Sequence, residues 1–167
     1  MRRWFVPLLC VILSLGVGGA VADDSLVLQR FGLDDTASLA LKIASDTVQK
    51  VEGKASLKIT AGRPTTVGIG EVDGLDVEAA KLVFSARVKT ELEGEAYLEM
   101  WVQVGGGNYF SKGLNNAAKG KGDWKTIQTP FFLQKGQRAQ KAVLNLVING
   151  KGTVWIDDAV LARAPLK

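Results

Sequence analysis

AKLVFSARVKTELEGEAYLEMWVQV, residues 80–104, alternates apolar and polar side chains almost without interruption. Leu82, Phe84, Ala86 and Val88 share one side of an extended chain, and Ala96, Leu98, Met100, Val102 and Val104 share one side beyond TELEG. Successive strand side chains point to opposite faces, so a period of two indicates half-buried β-strands. The spacing predicts a hairpin closed around TELEG, with Val88 opposite Ala96, Ala86 opposite Leu98, Phe84 opposite Met100 and Leu82 opposite Val102. In that register the second face pairs Lys89 with Glu95, Arg87 with Tyr97, Ser85 with Glu99 and Val83 with Trp101. Opposite charges and a cation over a ring are favourable cross-strand pairs, each worth about 0.2–1 kcal/mol.

The same alternation continues on both sides of this stretch. KASLKIT places Ala55, Leu57 and Ile59 together, TTVGIGEV places Val67 with Ile69, and AVLNLVI places Ala142, Leu144, Leu146 and Ile148 together. Glycine-rich punctuation bounds the runs, at Gly62 to Pro64, Asp73-Gly74, Gly105 to Gly107, Gly120 to Gly122 and Asn149 to Gly152. Short period-two runs with such boundaries indicate an all-β fold, an antiparallel two-sheet sandwich. Only residues 34–45 could form a short helix, and ASLALKI within them reads equally well as a strand.

The N-terminus reads as an address. Arg2 and Arg3 precede the apolar run WFVPLLCVILSLGV, and Ala20-Val21-Ala22 is a small-x-small cleavage site. The expectation is a signal peptide, residues 1–22, cleaved after Ala22, and one domain, residues 23–167, secreted or periplasmic. No membrane span is expected after cleavage. Cys10 lies inside the apolar run, away from the cleavage point, which argues against lipidation. The mature chain therefore has no cysteine, and the whole chain has no histidine. Disulfides, thiol nucleophiles, Ser-His-Asp catalysis and histidine-based metal sites are excluded. Losing Arg2 and Arg3 lowers the formal charge from +4 to about +2. A balance that even does not mark a nucleic-acid binder.

One face of the expected hairpin carries Arg87, Tyr97, Glu99, Trp101 and Gln103. The run from Lys141 to Asn149 adds Asn145, and Lys141 if it lies in the same sheet. Such a face is too polar for a core and too aromatic for a plain solvated surface. A sugar ring needs an aromatic surface for its C–H face and planar donors and acceptors for its hydroxyls. Arg87, Tyr97, Glu99, Trp101, Gln103 and Asn145 are the candidate ligand site. The bland alternative is that a loop or the N-terminal segment covers Tyr97 and Trp101. Trp124, at the start of a strand, reads as packing across the end of the sandwich.

GDWKTIQTPFFL followed by KAVLNLVINGKGTVWIDDAVL resembles the C-terminal half of carbohydrate-binding modules with a galactose-binding-like jelly-roll fold. GKASLKITAG resembles their first core strand. AYLEMW, NYFSKGL and GKGTVWIDD also resemble a set of secreted bacterial proteins to which no function is attached. The resemblance implies a jelly roll whose closing strand is TVWIDDAVL, with Gly150 and Gly152 turning into it and Val154, Ile156 and Val160 reaching the core. It also implies a place for a structural calcium ion at Asp157 or Asp158, with Glu52, Asp34 or Asp35. The sequence lacks a dense acidic calcium loop, so the expectation is no metal or other cofactor, with one aspartate capping a bulge through backbone N–H groups while the other faces solvent.

The functions that follow are a non-catalytic module for polysaccharide or another glycan, or a structural or protein-interaction domain of the cell envelope. An enzyme is not expected. Adjacent strand residues such as Asp157 and Asp158 point to opposite faces. Glycoside hydrolysis needs two carboxyls converging across one bond, about 5–10 Å apart.

Overall fold

The computed structural model describes residues 25–33 and 42–166. The signal-peptide expectation, Asp34 and Asp35 lie outside the described residues. Among the described residues six strands follow in order: β1 (Leu26–Phe31), β2 (Lys42–Asp46), β3 (Ser56–Ala61), β4 (Thr65–Val104), β5 (Gly107–Lys112) and β6 (Ala118–Ala164), with a 3-10 turn, Leu114–Asn116, before β6. Of the ambiguous residues 34–45, those from Lys42 onward form strand β2.

Strands of 40 and 47 residues are far too long to lie in one flat layer. Their pairing shows how each serves two layers. In the first sheet, residues 80–92 of β4 lie between residues 122–133 and residues 152–164 of β6. β1 pairs beyond the final segment from Leu26 to Phe31, and β3 and β2 follow in turn at its other end. In the second sheet, residues 138–148 of β6 lie between residues 65–78 and residues 95–104 of β4, with β5 on the outer edge. All ladders are antiparallel. The architecture is an all-β, two-sheet sandwich of the jelly-roll type.

The chain passes from sheet to sheet without folding back, and this corrects the expected TELEG hairpin. Gly94 faces Gly150 and Leu92 faces Gly152, so β4 and β6 cross between layers as a paired ribbon. The crossing requires bare backbone. A Cβ on Gly94 would sit 2.2 Å from the Asn149 carbonyl oxygen, and one on Gly150 would sit 2.1 Å from that of Glu93. Gly150 and Gly152 therefore continue the strand across a bend instead of turning into it. The true hairpin lies farther along the chain, where Val104 faces Gly107. Gly105 and Gly106 have φ of 56° and 83°, as a two-residue type I′ turn requires.

The inward faces match the alternation. Leu82, Phe84, Ala86 and Val88 meet Leu98, Met100, Val102, Leu144, Leu146 and Ile148 in one continuous buried cluster. Phe31 closes the core from β1, and its ring fills the space where a side chain on Gly70 would project. The final strand departs from simple alternation at one place. Between the pairs Ser85–Val160 and Arg87–Asp157, β6 carries one residue more than β4. That extra residue makes a β-bulge in which Asp158 has φ of 45°. It reverses the phase beyond it, so Ala159 and Leu161 enter the core cluster, while Val160 is buried on the outward side beside Ser85 and Arg30.

Candidate functional site

The outward face of the second sheet can be read row by row, because directly opposed antiparallel residues project to the same side. One row runs Phe110, Trp101, Val143, Glu71; the next runs Lys112, Glu99, Asn145, Gly68; a third runs Asn108, Gln103, Lys141, Asp73. Tyr97 belongs to a fourth row with Val147 and Thr66. Of the six expected site residues, Glu99, Trp101, Gln103 and Asn145 are brought together, and Lys141 joins them. Tyr97 shares the face by register but is buried. Arg87 lies in the other sheet, opposite Thr126 and Asp157, because the hairpin that would have set it against Tyr97 does not form.

Glu99 organises the face. The residue is 8% exposed, and its carboxylate accepts from the Trp101 indole N–H at 2.8 Å and from the Asn145 amide at 3.3 Å. The Lys112 ammonium lies 3.5 Å from its second oxygen. These donors satisfy a carboxylate that would otherwise be costly to bury. The indole is tied along the strand by the same bond. Trp101 remains 39% exposed, and its ring lies 5.1 Å from that of Phe110 at 45°. Phe110 is 55% exposed, and the Lys112 ammonium sits 5.3 Å from its centroid. Beside Asn145 the bare backbone of Gly68 leaves the floor open, since a Cβ there would meet only the Asn145 oxygen at 4.0 Å. At the end of the face, Lys141 donates to Glu71 at 2.5 Å and lies 3.4 Å from Asp73. The Glu71 bond, and then the charge of Asp73, raises the lysine above its ordinary pKa.

The arrangement offers a fixed aromatic platform, an amide oxygen beside an open floor, and charged groups at the rim. Phe110 and Lys112 were not anticipated, although the signal for them is present. They follow the Gly105-Gly106 turn and alternate in phase with Trp101 and Glu99.

The two adjacent aspartates near the C-terminus form a structural corner. Asp157 is 5% exposed and accepts the backbone N–H groups of Val51 at 2.6 Å, Glu52 at 3.0 Å and Asp158 at 2.8 Å. Asp158 pairs with Arg30, which also lies 3.5 Å from Glu52. Calcium needs six to eight oxygens. Among the described residues these two carboxylates are engaged by N–H groups and a guanidinium. Among the described residues, no group of three or more His, Cys, Asp or Glu could hold a metal. Also among them, no helix is long and apolar enough to cross a membrane.

No family model matches the chain, and no curated protein matches it in sequence. Solved structures do match. The chain is similar to the CBM22-1 xylan-binding domain of Paenibacillus barcinonensis Xyn10C, with a TM-score of 0.55 and 16% identity over 87% of this chain and 99% of that one. It is similar to the C-terminal family 22 carbohydrate-binding module of Clostridium thermocellum Xyn10B, with a TM-score of 0.56 and 12% identity over 86% and 95% of the two chains. A cyclase from Fischerella sp. TAU matches with a TM-score of 0.50 and 15% identity, over 70% of this chain and 66% of that one. At such identities the likeness concerns the fold alone: this chain has the jelly-roll fold of carbohydrate-binding modules.

Proposed function

We propose that the chain is a secreted or periplasmic, non-catalytic module that binds a neutral stretch of polysaccharide on the outer face of its second sheet. The observation that carries this reading is the half-open Trp101 ring, fixed by the buried Glu99 and extended by Phe110. A pyranose stacks on such a surface through its C–H groups, and the fixed ring loses little freedom on binding. Asn145, Gln103 and Lys141 supply the hydrogen bonds at the edge. Glu99 acts by holding the platform, since its oxygens already accept from its neighbours. The fold likeness to modules named for xylan binding supports this class of ligand and places xylan in the test panel.

Affinity electrophoresis against soluble xylan, mannan, glucan and galactan tests the reading. Retardation by at least one of them is expected, and Trp101→Ala with Phe110→Ala should abolish it while the far-ultraviolet spectrum of a β-sandwich persists. Unchanged retardation in that folded variant would remove the assignment of this face. No retardation by any polysaccharide, together with a stable complex with an envelope protein, would favour an interaction domain instead.

A further inference from the structure

Gly68 stands exposed on the outer face of the second sheet, in the row Glu99, Asn145, Gly68. A glycine inside a strand weakens it, because it loses more backbone freedom on folding and packs no side chain. Two other strand glycines are explained by the fold: Gly94 passes against the Asn149 carbonyl, and Gly70 gives its space to the Phe31 ring. Gly68 has no such reason. A Cβ there would meet only the Asn145 oxygen, at 4.0 Å, which is ordinary contact. The bulge that follows, between Gly68 and Gly70, does not need glycine either, since Gly68 is not among the residues with positive φ. A strand glycine without a backbone role marks a place where something approaches the main chain closely.

Glu99 orients the neighbouring amide toward this gap. An ionised carboxylate only accepts, so Asn145 turns its N–H to it, at 3.3 Å, and keeps its carbonyl oxygen free on the side of Gly68. That oxygen accepts from no group among the described residues. Among those residues the buried side-chain polar atom without a partner is the Nε of Arg87, so the Asn145 oxygen is reachable from outside. An open, oriented acceptor thus stands beside bare backbone. Gly68 lies two strands across and one row along from Trp101. The separation is roughly 12 Å, from about 4.8 Å per strand and 6.8 Å per row. One pyranose stacked on Trp101 does not span it.

We infer that Asn145 and Gly68 form a further sugar subsite, which takes a later unit of the same neutral chain after it leaves the Trp101 platform. A ring hydroxyl donates to the Asn145 oxygen, and the ring lies against the backbone that Gly68 leaves bare. An acceptor oxygen selects a hydroxyl and offers nothing to a carboxylate, so an uncharged sugar unit is the matching chemistry. This inference rests on the proposed polysaccharide reading and adds a direction to it. The chain crosses the strands, from residues 95–104 over residues 138–148 to residues 65–78, instead of following one of them.

The test is affinity electrophoresis of the full mature chain in soluble xylan, mannan, glucan and galactan, run beside chemical denaturation. In each gel that retards the wild type, Gly68→Thr should weaken binding about tenfold or more, because its side chain fills the floor, and Gly68→Ala a few-fold. Neither variant should lower the denaturation midpoint, since each replaces a glycine that the strand does not need. Gly68→Thr retarded as strongly as the wild type, where Trp101→Ala is not, would overturn the subsite and leave the Trp101 reading standing. A midpoint that falls together with retardation would also overturn it, because the glycine would then serve the fold. A wild type retarded in none of the gels would overturn the platform and the subsite together.

Discussion

Two tryptophans are anchored in the same way and end in opposite situations. The indole N–H of Trp155 donates to Asp46 at 2.9 Å, and that of Trp101 donates to Glu99 at 2.8 Å. Each ring stands on the outer side of its sheet. Trp155 is 6% exposed and Trp101 is 39% exposed. The difference is the loop between β2 and β3. Asp46 accepts from the N–H groups of Val48 and Gln49, the Ser56 hydroxyl donates to the Gln49 carbonyl, and Asp157 receives Val51 and Glu52. The loop is thereby pinned over the first sheet, and Lys58 lies 5.3 Å from the Trp155 centroid. At the second sheet Trp101 has Phe110 beside it on the edge strand. An anchored indole is thus part of the structure where the chain covers it, and a platform where the chain leaves it open.

The comparison is broken most directly by deleting each ring. Trp155→Ala should cost about 3–5 kcal/mol in chemical denaturation, because a covered ring leaves a cavity. Trp101→Ala should cost about 1 kcal/mol or less and act on polysaccharide retention instead. Similar losses from both would mean that Trp101 is also a packing residue. Asp157→Ala comes next, with a cost of roughly 2–4 kcal/mol from three N–H groups left without their acceptor. Its effect should include faster proteolysis of residues 47–54, and a loop that stays protected would show that Asp157 does not pin it.

Acid should loosen the covered side through Asp46. Its carboxyl is held below the ordinary value of 3.8, first by the Gln49 N–H and then by the Trp155 indole. A depressed folded pKa contributes stability that is complete above the unfolded value and is lost as pH falls through the folded one. Trp155 fluorescence should therefore change as pH drops below 3.8, and Asp46→Asn should flatten that response. A response unchanged in the variant would assign it elsewhere. The smallest effect concerns calcium. With Asp157 and Asp158 engaged by N–H groups and Arg30, we propose that chelation leaves the melting temperature where it was. A clear rise on adding calcium would restore the cation site to the corner.

The inward residues were readable because burial of a strand follows a strict period of two. That same regularity hid the connectivity. In the expected hairpin, Val88 and Ala96 share a face, and in a straight strand they share it as well, since both have even numbers. Alternation alone cannot distinguish the two paths. Local cues did exist: Leu92 continues the buried phase through TELEG, and Gly105-Gly106 supplies the only two consecutive positive-φ turn residues in the region. Arg87 was misplaced for this reason, while Glu99, Trp101, Gln103 and Asn145 stayed together because they lie beyond the error. Val160 is buried as expected, but on the outward side of its strand, because a single bulged residue inverts every face after it.

The sequence by itself determined the class of fold, the residues of the core and a set of polar and aromatic side chains on outward faces. Each of these follows from a local rule, the opposite projection of neighbouring strand residues. Only the tertiary structure decided which strands pair, where β4 and β6 cross between sheets, and which indole is covered. Those outcomes depend on contacts between residues far apart in the chain: Gly94 with Gly150, Trp155 with Asp46, Asp157 with Val51. No periodicity within one strand encodes them.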